Sequence, residues 1–124
     1  MIKSQEPITK QKFDLEERTL EFAKNILRLC AQLPQNAISR ELISQLIRAG
    51  GSVGANYREA NDSLSKKDFY YRIRITRKEA KEAYYWLELL HEATPEFQKT
   101  INQLLTEALE LKKIFSSIAC MYGC

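Results

Sequence analysis

The spacing of the apolar residues constrains this chain more than any other feature: they recur every three to four positions through four long segments, none with the strict alternation of a strand. That period belongs to helices that turn one face to a core. Pro34, Pro95 and the polar cluster from Asn61 to Ser65 divide the segments. The spacing therefore predicts helices over about 14–33, 39–61, 65–93 and 95–120, within a single domain over 1–124 that begins with a flexible N-terminal arm over 1–12. Start signals agree. Asp14 stands three residues before Glu17 in capping-box spacing, and Ser39 can cap the second helix with Ile38 stapled to Ile43. Ser65 and Asp68 box the third, with Leu64 stapled to Phe69, while Thr94 caps the fourth ahead of Pro95 and Glu96. Connections this short force successive helices to run antiparallel. The expected fold class is all-α, an antiparallel up-down-up-down four-helix bundle.

The second segment contains "RAGGSVGANYREAND", with three glycines in five residues. A phosphate-binding loop would need Lys and then Ser or Thr after its last glycine, but Ala55 and Asn56 follow Gly54. A dinucleotide fingerprint would need a glycine where Ser52 stands and a strand before it. Leu42, Leu46, Gly50, Val53, Tyr57 and Ala60 instead carry one helical stripe through the glycines. Each glycine in a helix costs about 1 kcal/mol relative to alanine, so close approach of a neighbouring helix is the expected compensation.

Composition narrows the function classes. A net charge of +3 is too mild by itself to indicate nucleic acid. No apolar run reaches the roughly 20 residues of a membrane span, and "MIKSQEPITKQK" lacks the apolar segment of a signal peptide, so the expected setting is the cytoplasm, with no membrane partner. Cys30, Cys120 and Cys124 are an odd number without a Cys-x-x-Cys pair, which indicates neither a disulfide framework nor a zinc site.

"SVGANYREA", together with "KEAKEAYYWLELLHEA" from Lys78 to Ala93, closely resembles the bacterial four-helix-bundle family first named for proteins encoded in intervening sequences of 23S ribosomal RNA genes. The accessory variability determinant of diversity-generating retroelements is a related branch. The resemblance covers nearly the whole chain, and "LISQLIRAGGSVGANYREA" is its second helix. It implies a homopentameric ring and, in the retroelement branch, a basic surface that binds nucleic acid and a reverse transcriptase. The family's polar signature falls on Ser52, Asn56 and Glu59, on one side of the second helix. The resemblance implies no catalytic role for them. Many members carry proline where this chain has Gly54, and positions 74 and 77 are more often uncharged, so Arg74 and Arg77 depart from the pattern.

The third segment sorts into three faces at about 100° per residue. Phe69, Ile73, Thr76, Ala80, Ala83, Leu87 and Leu90 form the core face. Lys67, Arg74, Arg77, Lys78 and Lys81 form a basic stripe, with Tyr70 and Tyr85 on or beside it. Tyr71, Ile75, Trp86 and Leu89 form a third face that a single bundle leaves in water, and they are the expected oligomer interface. Between Lys66 and Lys81 stand seven Lys or Arg against Asp68 and Glu79, an excess greater than that of the entire chain. Two readings are open: a row of cations for the phosphates of RNA or DNA, with tyrosines stacking on bases, or a surface that pairs with carboxylates such as Glu88 and Glu92 of a neighbouring subunit. The first helix is apolar over about half its circumference, and Leu109 and Ile114 lie outside the core row of the fourth, so a cyclic homo-oligomer is expected.

Enzyme signatures are weak. Glu88-x-x-His91 has the spacing of a di-iron bundle motif, but the chain has one histidine. Cys30 lies in an apolar row, and Asn56 with Glu59 reads as a hydrogen-bonded tie between helices before it reads as acid-base chemistry. The expectation is a protein without catalysis, cofactor or metal: a nucleic-acid-binding accessory factor or, alternatively, an oligomeric scaffold that docks a protein partner.

Overall fold

The structure, a computed structural model, describes residues 14–123. The arm expected over 1–12 lies outside the described residues. Four long helices make up the described chain, and it contains no strand: α1 (Leu15–Gln32), α2 (Ala37–Asn61), α3 (Lys66–Ala93) and α4 (Gln98–Cys120), with a one-turn 3-10 helix at Pro95–Phe97.

The caps explain these boundaries and correct several expectations. Asp14 occupies the N-cap of α1 without a capping hydrogen bond from its side chain. The cap of α2 is Asn36, not Ser39: its side chain accepts from the Ser39 N–H at 2.9 Å, and the Asn36 N–H donates back to Ser39 Oγ at 3.1 Å. Ser39 therefore fills the N3 role usually taken by Glu or Gln, and its hydroxyl also donates to the Pro34 carbonyl. Ser65 caps α3 as expected, accepting from the Asp68 N–H at 3.0 Å. Neither hydrophobic staple forms, because Ile38 is 66% and Leu64 99% exposed. Thr94 closes α3 rather than opening the next helix: its hydroxyl donates to the Leu90 carbonyl at 2.8 Å, and Pro95 starts the 3-10 turn that leads into α4.

One hydrophobic cluster draws on all four helices, with Phe22, Ile26, Leu46, Val53, Ile73, Leu87, Ile101, Leu111 and Phe115 fully or almost fully buried. The core faces read from the sequence are the buried ones on α3 and α4, except that Phe69, Phe97 and Ile118 are only half-buried. Each helix packs on the next, and α1 also packs on α4. Asn61 reaches Glu16 across α1 and α2, and Asn56 reaches Arg72 across α2 and α3. These contacts are compatible with the up-down order.

The glycines of α2 sit inside an unbroken helix, and among the described residues only Gly123 has a positive φ. A Cβ on Gly50 would overlap Ile26 Cδ1, and one on Gly54 would lie 3.0 Å from Thr19 Oγ1. Thr19 is fully buried and turns its hydroxyl onto its own helix, donating to the Leu15 carbonyl at 2.7 Å. That clears the space into which the α2 backbone fits. Gly51 meets nothing within 4 Å.

Cys30 is a free, buried thiol, as its apolar row implies. Cys120 is disulfide-bonded, a single link that the cysteine spacing did not indicate. No helix among the described residues is long and apolar enough to cross a membrane.

Candidate nucleic-acid interface

An open groove of about 810 Å³ runs along the seam between α2 and α3, lined by Gln45 and Arg48 from α2 and by Tyr71, Arg74, Ile75, Arg77, Lys78, Lys81, Glu82, Tyr85 and Trp86 from α3. It merges two faces that the sequence reading kept apart. Four of the five stripe cations, Arg74, Arg77, Lys78 and Lys81, stand in the same groove as three of the four interface residues, Tyr71, Ile75 and Trp86. Lys67 and Leu89 are exposed but do not line it.

Helix geometry accounts for the merger. Tyr71, Lys78, Glu82 and Tyr85 fall within one narrow sector opposite the buried row of Ile73, Ala80, Leu87 and Leu90, with Arg74 and Lys81 on one flank and Ile75 and Trp86 on the other. The flank toward α2 is half-covered by that helix, so Ile75 and Trp86 are half-buried, Trp86 packing against the core, while Tyr71 and Tyr85 remain 54% exposed. Tyr85 meets Trp86 edge-on at 5.2 Å, which fixes the two rings relative to each other. The Trp86 indole N–H is buried without a hydrogen-bond acceptor. Tyr70 does not belong to the stripe: it is buried and stacks on Tyr122 at 4.8 Å. No local sequence signal shows that Tyr122 folds back over this position.

Charge in the groove is uneven. Arg48 Nη2 donates to Glu82 at 2.7 Å, and its Nη1 lies 3.5 Å from the buried Glu79 carboxylate. The hydrogen bond to Glu82, with help from Glu79, holds the Arg48 guanidinium above its ordinary pKa. Lys78 reaches the other Glu82 oxygen at 4.0 Å. Glu82 is the single carboxylate among the lining residues and is shared by two cations. Arg74, Arg77 and Lys81 make no ion pair among the described residues; Arg74 and Lys81 are exposed and Arg77 is half-buried.

The polar signature is only partly assembled. Asn56 donates to the Ser52 carbonyl at 2.9 Å and accepts from Arg72 at 3.4 Å, an inter-helix tie of the kind expected. Glu59 is exposed and Ser52 half-buried, and neither side chain joins that tie. Sequence reasoning missed Gln45, Arg48, Glu82 and Arg72 as neighbours of the site. The contributions of α2 are non-local, and only Arg48 carried a visible signal, being a lone cation in an otherwise uncharged run from Leu42 to Tyr57. Among the described residues no group of three or more His, Cys, Asp or Glu is placed to hold a metal ion.

The family model described as 23S rRNA-intervening sequence protein matches residues 11–117. The chain is also similar to the crystal structure of a protein with unknown function from the S23 ribosomal protein family of Bacteroides thetaiotaomicron VPI-5482, with 31% identity and a TM-score of 0.74, covering 84% of this chain and 96% of that one. No curated protein matches the chain.

Proposed function

The chain belongs to the 23S rRNA-intervening sequence protein family, and we propose that it is a non-catalytic, oligomeric accessory factor that binds RNA or DNA through the α2–α3 groove. The observation that carries this reading is the placement of Arg74, Arg77 and Lys81, unpaired among the described residues, beside Tyr71, Tyr85 and Trp86 in one groove with a single carboxylate. Phosphates would meet the cations, and release of their counterions would supply much of the affinity. In this reading the helices form an antiparallel up-down-up-down bundle in the cytoplasm. The bundles gather as a homo-oligomer, a pentamer by the family resemblance, which would bring several basic grooves into one particle. A reverse transcriptase as protein partner is the corresponding proposal from the retroelement branch.

The test is RNA and DNA binding across a salt series with wild type and an Arg74→Gln, Arg77→Gln, Lys81→Gln variant. The variant should bind more weakly and lose about 2 from the slope of log affinity against log salt, at roughly 0.7 per single-strand phosphate contact. Unchanged affinity and slope would overturn the groove as the interface.

The scaffold reading has one observation in its favour: Leu20 and Leu27 of α1 and Ile47 of α2 are exposed apolar residues away from the basic groove. Co-purification of a specific protein, with indifference to nucleic acid at low salt, would favour it.

A further inference from the structure

We infer that the groove selects unpaired nucleic acid, holding bases against Tyr71 and Tyr85 while the cations between them follow the backbone; this rests on the nucleic-acid reading proposed above and specifies the class of ligand. The two rings are equally exposed, at 54%, and line the same groove. They stand fourteen residues apart on α3, about 21 Å along its axis at 1.5 Å per residue, so they bracket a run of several nucleotides. Arg74, Lys78 and Lys81 lie between them in the chain and line the same groove. Cations interleaved with exposed rings are the arrangement that serves a single strand: every base has a π-face to stack, whatever its identity.

A duplex uses this arrangement poorly. Its bases are already stacked and paired, so it can offer phosphates to the cations but no free face to the tyrosines. A reader of duplex major grooves would also need hydrogen-bonding side chains directed at base edges from an element that enters the groove. Here α2 contributes two polar residues, Gln45 and Arg48, and Arg48 is occupied by Glu82. The Tyr85 ring also sits on a fixed support, because it is braced edge-on by Trp86, which itself packs on the core. A braced ring loses little conformational freedom when a base lands on it. Selection rests on the free base face, which RNA and DNA share.

The experiment is an anisotropy titration of the full chain against an oligouridylate and an oligothymidylate of about 20 nucleotides, each compared with its duplex at equal salt. Wild type should bind the single strands at least about tenfold more tightly than the duplexes. A Tyr71→Ala, Tyr85→Ala double variant should lose at least about fivefold for single strands, leave duplex binding and the salt slope unchanged, and be rescued by phenylalanine at both positions. Both positions are exposed, and unchanged thermal unfolding of the variant would establish that any loss is local. Equal affinity for strands and duplexes, or an equal loss for both in the alanine variant, would overturn the inference while leaving the proposed function standing. Absence of binding to any of the four at low salt would overturn both.

Discussion

Gly51 and Gly54 lie one turn apart on α2 and have opposite surroundings, and the difference predicts opposite responses to substitution. At Gly51 an added methyl meets nothing within 4 Å, so Gly51→Ala should raise stability by about 0.5–1 kcal/mol through helix propensity alone. At Gly54 the methyl would press on Thr19, a buried side chain already committed to the Leu15 carbonyl. Gly54→Val should therefore cost about 1–3 kcal/mol, as overpacking does. Urea unfolding of the two variants measures both signs. Cys30 offers a second residue-scale prediction. Burial pushes its thiol from an ordinary 9.0 up to about 11. The folded thiol keeps its proton above pH 9 while the unfolded one loses it, so this contribution to stability is complete below pH 9 and declines as pH rises toward 11. Urea midpoints measured from pH 8 to 11 should fall more steeply in wild type than in Cys30→Ala. At neutral pH the native thiol should resist alkylation, read by mass spectrometry, until the chain unfolds.

At the scale of elements, the α2–α3 seam is held by a carboxylate placed where the function proposed for the groove would prefer none. Glu82 ties Arg48 and Lys78, so Glu82→Gln should free Lys78 and leave Arg48 held by Glu79 alone, turning more positive charge toward an incoming phosphate. Nucleic-acid affinity should rise several-fold, with a steeper salt slope, which equilibrium binding at two salt concentrations would detect. How much of these elements was legible beforehand depended on whether the determining contacts were local. Helix periods, the Ser65 cap, the stop at Pro34 and the end of α3 at Ala93 follow from neighbours in sequence, and the structure agrees with them to within a residue or two. The start of α2 was misread because Asn36 and Ser39 are both good caps, and their reciprocal box, closed onto the Pro34 carbonyl, decides between them. Angular sorting of α3 identified its core but could not say what covers each remaining flank. Tyr70 proved to lie under Tyr122, and Ile75 and Trp86 beside α2, because those partners come from distant parts of the chain.

The whole molecule presents two surfaces of different chemistry: the basic, aromatic groove between α2 and α3, and exposed aliphatic residues Leu20, Leu27 and Ile47 on α1 and α2. Self-association through the aliphatic surface would leave the grooves open and set several of them on one particle. Native mass measurement should then give a multimer for wild type and smaller species for a Leu20→Glu, Leu27→Glu variant, whose substitutions fall at exposed positions and should leave the fold intact. Binding of nucleic acid in the groove has a reporter already in place, since Trp86 is the single tryptophan of the chain and lines the groove. The most direct measurement is its fluorescence during titration with a single-stranded oligonucleotide at rising salt. A saturable change in emission is expected, its midpoint moving to higher concentration as salt increases, and it should be lost when Arg74, Arg77 and Lys81 become glutamine. Emission that stays constant at low salt while the oligonucleotide binds, or binding with no dependence on salt, would contradict binding in the groove.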